Sequence, residues 1–154
     1  MSGGSWSGRL AELGIELPPA VKPVAAYVPA VQTGSLVYTA GQVPMVAGEM
    51  AATGKVGGEV SPERGKELAR ICALNALAAV DDLVGLDSIV RIVKVVGFVA
   101  SAPGFGGQPG VVNGASLLFG EVFGDAGAHA RSAVGVAELP MNAPVEVELI
   151  VEVA

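Results

Sequence analysis

Apolar positions in this chain repeat with two periods, and the two periods divide it into helices and strands. From Leu68 to Leu83 the apolar residues Leu68, Ile71, Cys72, Ala76, Ala79, Val80 and Leu83 recur at helical spacing, while Arg64, Lys66, Glu67, Arg70 and Asp81 fall largely elsewhere. Ser61 suits the N-cap of this helix, Pro62 its first position and Glu63 the positive end of its dipole, and Gly85 stops it. A second helix begins near Pro109. Its stripe is Val111, Val112, Ala115, Leu118, Phe119, Val122 and Phe123, and Gly124 ends it. Arg9–Gly14 fits a short helix, followed by a stretch held extended by Pro18, Pro19 and Pro23.

Period-two alternation marks the strands. Tyr27–Thr39, rich in Val, Tyr and Thr, reads as paired strands with a turn at Thr33–Gly34, and Gly48–Gly58 as a loop with a weak strand. Ile89–Ala100 is largely apolar on both faces, with Val93, Val95 and Val99 on one and Ile92, Val96 and Phe98 on the other. Such a strand is covered on both sides. Two helices cover one face of so small a sheet, so self-association is expected to cover the other. In Val145–Val153 the odd positions are Val or Leu, and the even ones are Glu146, Glu148, Ile150 and Glu152. One face packs and the other carries carboxylates. In Arg131–Ala137, Val134 and Val136 share one face, and Arg131, Ala133, Gly135 and Ala137 the other. If the valine faces share the core, Arg131 and Glu146 lie together on the opposite face, with small residues leaving a cleft beside the arginine.

The 154 residues suit a single domain, 1–154, in which Met1–Gly8, polar and rich in Gly and Ser, reads as a flexible tail. No basic segment followed by an apolar one opens the chain, and every apolar run is cut well before the roughly 18–20 residues of a spanning helix. A cytoplasmic location is therefore expected, with no membrane partner. A net charge of −6 argues against nucleic acid, so an anionic ligand has to be captured by a local positive charge. One cysteine, Cys72, and one histidine, His129, exclude a disulfide framework and a multi-His metal site within one subunit.

Arg131 is the leading candidate for that local charge, because a guanidinium holds a carboxylate through two charge-assisted hydrogen bonds. An ion pair with Glu146 or Glu148 is the competing reading. Glu146 is a candidate to orient or deprotonate water, though three alternating glutamates also describe a solvated face. Asn113 sits in the first turn of the second helix, and Tyr27 on a half-buried strand. Cys72, on the apolar stripe, reads as core, and His129 as a loop or surface imidazole. The run Gly104-Phe105-Gly106-Gly107-Gln108-Pro109-Gly110 imitates a dinucleotide fingerprint, but Pro109 stands where the third glycine is due and no parallel βαβ unit is apparent around it. It reads as a mobile loop, one that could edge a ligand site.

Gly41-Gln42-Val43-Pro44 after a strand, Asn113 in the second helix, and Ala130-Arg131-Ser132-Ala133-Val134-Gly135-Val136-Ala137-Glu138-Leu139-Pro140 followed by Val145-Glu146-Val147-Glu148 together resemble the Rid (YjgF-like) family over about residues 22–154. The resemblance implies an α+β, chorismate-mutase-like mixed sheet with two long helices on one face, assembled as a homotrimer with clefts between subunits. It implies metal-free and cofactor-free hydrolysis of enamines and imines derived from amino acids, giving 2-keto acids and ammonia. Arg131 falls on the residue that grips the substrate carboxylate, Glu146 on the one that positions water, and Gly41, Tyr27 and Asn113 on lining positions. Ala40, Ala133 and Ser116 replace the Ser, Cys and aromatic residue usual in the deaminating branch, which marks a divergent branch. Two alternatives stay open on the sequence: a non-catalytic protein that binds or senses a small carboxylate in the same cleft, and a ribonuclease, as an older label for relatives has it. Acidic charge and the lack of a basic or aromatic strip argue against the second.

Overall fold

The long helix signalled by Ser61 and Pro62 runs Pro62–Val84 in the computed structural model, which describes residues 4–154. The Ser61 hydroxyl accepts from the Arg64 amide at 3.1 Å, and Gly85 closes the helix at φ 84°. Numbered in chain order, the helices are α1 (Trp6–Leu13), α2 (Pro62–Val84) and α3 (Gln108–Phe123). The strands are β1 (Ala30–Thr33), β2 (Leu36–Thr39), β3 (Met45–Val46), β4 (Glu49–Met50), β5 (Ile89–Ala100), β6 (Ala130–Val136) and β7 (Val145–Val153). Five of them form one mixed sheet in the order β1-β2-β7-β5-β6, and β3 and β4 form a small separate pair. Neighbours in the large sheet are antiparallel except β5 and β6, which are parallel. Among the described residues no helix is long and apolar enough to cross a membrane.

Both long helices lie on one face of the sheet, as expected, and they approach each other closely. Gly114 of α3 sits against the backbone of α2, where a Cβ would overlap the Lys66 carbonyl. Gly97 of β5 does the same for the sheet, since a Cβ there would stand 2.5 Å from a Val112 methyl on α3. Glycines at these contacts let backbone meet backbone and side chain without a gap. The odd positions of β7 are all buried beneath the helices, and the even ones are half-buried on the other face. Across that second face run Tyr38, Val96, Phe98, Val134 and Ile150, with no further layer over them among the described residues.

Four expectations are corrected. The tail expected to Gly8 is replaced, from Ser5 on, by a capped helix: the Ser5 hydroxyl accepts from the Gly8 amide, the Trp6 indole donates to the Ile89 carbonyl at 2.7 Å, and its ring meets Phe123 edge-on with centroids 5.0 Å apart. Met1–Gly3 lie outside the described residues. In β5 the register with β7 shifts between Ile92 and Lys94, so Ile92, fully buried, joins Val95 and Val99 on the helix side while Val93 is only half-buried. An irregularity of this kind breaks the alternation that simple parity assumes.

The glycine-rich run is likewise not outside a βαβ unit: it joins β5 to α3, and α3 crosses over to the parallel strand β6. Phe105 packs over Gly57 and Gly107, and the Gln108 amide bonds Ser101 Oγ at 3.1 Å and the Phe105 carbonyl at 2.8 Å. The loop is thus filled and pinned by its own side chains rather than shaped as a phosphate cradle. Tyr27, finally, lies in a bend before β1 and is exposed, not half-buried on a strand.

Candidate functional site

Parity placed Arg131 beside Glu146, and here the structure disagrees most. Arg131 is opposite Val95, a fully buried residue on the helix side, so Arg131, Ala133 and Gly135 face α3. Val134 faces the other way and is 43% exposed. The reason is steric. A Cβ on Gly135 would come within 2.7 Å of the Gln108 amide and 3.0 Å of Ser101 Oγ, so the small residues stand where the helix layer presses on the strand. The valines are left to the open face. Glu146, opposite Phe98, is on that open face too. Arg131 and Glu146 therefore project from opposite sides of the sheet.

On the helix side, Arg131 Nη1 donates to Asn113 Oδ1 at 2.7 Å and to Ser116 Oγ at 3.2 Å. Asn113 and Ser116 are three residues apart on α3 and so share a face of it. Asn113 is in the second turn of α3, one turn later than expected, and its acceptor serves the guanidinium rather than the helix end. The five ion pairs among the described residues are Arg9–Glu12, Lys22–Asp82, Lys55–Glu138, Arg64–Glu67 and Arg70–Glu121, and Arg131 belongs to none of them. Only neutral oxygens hold it. Both Nη1 hydrogens are engaged, which leaves the Nε–H and Nη2–H edge of the fork for a planar anion.

His129 completes this cluster, although the sequence suggested a loop or surface imidazole. It is half-buried, with Nδ1 2.6 Å from the Gly127 carbonyl, Nε2 2.8 Å from Ser116 Oγ, and the ring edge-on to Phe119 at 5.8 Å. A carbonyl only accepts, so Nδ1 carries a proton, and in the neutral ring Nε2 accepts from the Ser116 hydroxyl.

Elsewhere, Gly41 stands beside Glu146 and shares a groove with Tyr27. The Gln42 amide and carbonyl pair with Val147 at 2.8 and 3.0 Å, which stitches the segment after β2 onto β7 and sets Gly41 beside Glu146. The space that a Cβ on Gly41 would need is taken by the Glu146 carboxylate, so no larger residue fits there with this rotamer. Burial, and then the neighbouring charge of Glu148, push the Glu146 carboxyl above its ordinary value. Tyr27 and Gly41 line one groove of about 320 Å³ with Lys22, Ala40, Met45 and Met141.

Asn75 on α2 fixes this side: buried, it donates to the Val43 and Met45 carbonyls at 3.1 and 3.0 Å. Its signal was a polar residue amid the apolar stripe of that helix, a position that demands a hydrogen-bond partner. Cys72 is core, as expected; its thiol is pushed up by burial and then by Glu146. Among the described residues no group of His, Cys, Asp and Glu could hold a metal ion.

Comparison with known proteins agrees with the fold. The model of the endoribonuclease L-PSP family matches residues 18–153. The chain is 41% identical over 154 residues to Protein TCP17 of Trypanosoma cruzi, covering 99% of this chain and 96% of that one. It is 34% identical over 138 residues to a 2-iminobutanoate/2-iminopropanoate deaminase of Dermatophagoides farinae, covering 89% and 93%. The crystal structure of Atu1372 from Agrobacterium tumefaciens, a protein of unknown function, superposes with a TM-score of 0.89 at 47% identity over 97% of this chain and 92% of that one. The chain belongs to the endoribonuclease L-PSP family, the YjgF family that its motifs resemble.

Proposed function

We propose that this protein is a deaminase that hydrolyses small 2-imino and 2-enamino acids to 2-keto acids and ammonia, in a cleft completed by a second copy of the chain. The observation that carries the reading is Arg131, a guanidinium without a carboxylate partner among the described residues, held by Asn113 and Ser116 with one edge of its fork unused. That edge takes the substrate carboxylate. Similarity to a 2-iminobutanoate/2-iminopropanoate deaminase supports the substrate class.

Glu146 activates water. Its raised carboxyl makes it a better base once ionised than an ordinary surface glutamate, and a protonated imine is electrophilic enough to need little more than an aimed water. Arg131 and Glu146 face opposite ways within one chain, so they meet one substrate only across an interface. The uncovered apolar face of the sheet supports a closed homotrimer, a single domain per subunit, as the assembly that brings them together.

The test generates 2-iminopropionate or 2-iminobutanoate in situ and follows keto-acid formation with and without the protein. Acceleration that Arg131→Ala abolishes is expected. No acceleration over buffer, across several imino acids, overturns the deaminase and leaves a carboxylate-binding protein, which calorimetry with 2-ketobutyrate would detect.

A further inference from the structure

The hydrolysis proposed above acts on atoms that every 2-imino acid shares, so the substrate has to be selected by what surrounds its side chain. We propose that the groove beside Glu146 receives that side chain, that the side chain it fits is an apolar stem ending in a carboxamide, and that Gln42 is the specificity-determining residue that reads the amide. This inference rests on the deaminase reading.

Three polar side chains are buried among the described residues: Thr39, Gln42 and Asn75. The fold uses two of them. Thr39 Oγ1 accepts from the Leu149 amide at 3.0 Å, and Asn75 donates to the Val43 and Met45 carbonyls. Gln42 is only 7% exposed and its backbone is paired with Val147, yet its carboxamide bonds no other group among the described residues. No buried side-chain nitrogen or oxygen is sealed off without a partner, so the Gln42 amide opens to the outside. The opening that Gln42 lines is the groove of Tyr27 and Gly41. A polar group this buried, with no fixed partner, calls for one from outside.

The remaining lining tells what that partner is attached to. Val21, Tyr27, Val43, Met45 and Met141 make the walls apolar. Met141, with Asn142 after it, holds a φ of 60° and 56° respectively, a left-handed conformation that non-glycine residues seldom adopt and that clusters at ligand sites. Lys22, the one cation lining the groove, is paired with Asp82 at 3.6 Å, and Glu146 and Glu148 add negative charge nearby. An anionic end is therefore disfavoured and a neutral one fits. A carboxamide presents a donor and an acceptor side by side, and a second carboxamide satisfies both at once.

The groove also begins beside the proposed base. Gly41 lines it, and the Glu146 carboxylate fills the space that a Cβ on Gly41 would need. Water aimed by Glu146 attacks the imine carbon from about 3–3.5 Å, and the substrate's side chain is bonded to that same carbon. The side chain then has the groove past Gly41 to enter. A volume of about 320 Å³ accommodates a chain of glutamine size, whereas the methyl group of 2-iminopropionate leaves most of it to water.

The test compares 2-imino acids generated in situ by amino-acid oxidases from glutamine, methionine and glutamate. The three are similar in length; the second lacks the amide and the third replaces it with a charge. Expected is a kcat/KM for the glutamine-derived imine about tenfold above the methionine-derived one, the scale of one or two neutral hydrogen bonds, and further still above the glutamate-derived one. Gln42→Leu, apolar and of similar size, should remove the margin over the methionine-derived imine. Ala25→Trp fills the groove from an exposed position and leaves the buried carboxamide alone. It should lower kcat/KM for both uncharged long substrates, relative to 2-iminopropionate, by roughly tenfold.

An active wild type that hydrolyses the methionine-derived imine as well as the glutamine-derived one would overturn the inference and leave the deaminase standing. So would a margin that survives in Gln42→Leu. Should that variant fail to fold, an unchanged ratio of long to short substrates in Ala25→Trp overturns the groove assignment instead. A wild-type protein that accelerates hydrolysis of none of these imines overturns the deaminase itself, and the side-chain assignment with it.

Discussion

Two inactive variants should restore each other's activity when they assemble together. The reason lies in the register of the sheet. Arg131 is opposite Val95, Val95 is opposite Leu149, and Glu146 lies three residues further along β7. Crossing from β6 to β7 by way of β5 spans two strand spacings, roughly 10 Å, and the three residues along β7 add roughly 10 Å more, so the Cα atoms stand about 14 Å apart with side chains on opposite faces. No small imino acid bridges that distance through a sheet. On the proposed mechanism, each working site therefore takes Arg131 from one copy and Glu146 from a neighbour.

Arg131→Ala and Glu146→Gln each spoil every site in a pure assembly. In a random one-to-one mixture within a closed ring, a site is intact when its arginine comes from a Glu146→Gln chain and its glutamate from an Arg131→Ala chain. The chance is one half times one half, or about one quarter of wild-type activity. General-base loss alone lowers the rate roughly 10²–10⁴-fold, so a quarter stands far above either parent. The assay coexpresses the two variants with different tags, shows by sequential pull-down that they mix, and measures keto-acid formation per chain. Mixed assemblies no more active than their parents, beside an active wild type, would refute the argument from opposite faces.

Other outcomes follow from the packing and the charges. Gly114→Ala should destabilise the fold by about 2 kcal/mol or more, because the overlap with the Lys66 carbonyl outweighs the gain of roughly 1 kcal/mol in helix propensity; chemical denaturation measures it. Trp6→Ala should cost about 3 kcal/mol through the lost contact with Phe123 and the lost bond to the Ile89 carbonyl, seen as a lower denaturation midpoint with an unchanged m-value. Glu146 has a raised folded-state pKa, so its ionisation opposes folding increasingly as pH rises from its unfolded value through its folded one; Glu146→Gln should raise Tm at pH 7 and flatten that slope. Asp87 is the opposite case, held low first by the Ser7 amide and then by the Ser7 hydroxyl: its contribution is present above its unfolded pKa, about 4, and is lost as pH falls through the folded one, so Asp87→Asn should remove part of the acid sensitivity of Tm.

The elements that could be read from the sequence are those whose local signals agree with one another. In α2, the cap, the proline, the acidic first turn and the apolar stripe all point the same way, and the helix begins where they say. In β7, aliphatic residues at every odd position against glutamates at three of the four even ones leave a single solution for which side packs. β5 and β6 escape such reading for different physical reasons. A register shift in β5 moves Ile92 to the side that Val93 was expected to share. In β6 the packed side is marked by smallness rather than by hydrophobicity, because Gln108 and Ser101 already occupy the space above Gly135. Binary patterning equates the more apolar face with the buried one, and an edge strand pressed by a helix on one side and left open on the other inverts that rule.

The inversion also explains why the surroundings of Arg131 could not be found by charge. A search for its partner among Glu146 and Glu148 looks for neutralisation, yet a guanidinium that is to bind a carboxylate from outside has to stay unneutralised. Its fixed partners must then be neutral acceptors that orient the fork without cancelling its charge, and Asn113 Oδ1 and Ser116 Oγ are such acceptors. The sequence does carry a trace of them. Asn113 and Ser116 are the two polar residues spaced i, i+3 on α3, on the helix flank beside the apolar stripe of Val112, Ala115 and Phe119. A strand arginine following a helix with such a polar pair is a better sign of an anion site than an arginine facing a row of glutamates. The first arrangement leaves positive charge to be used, and the second consumes it.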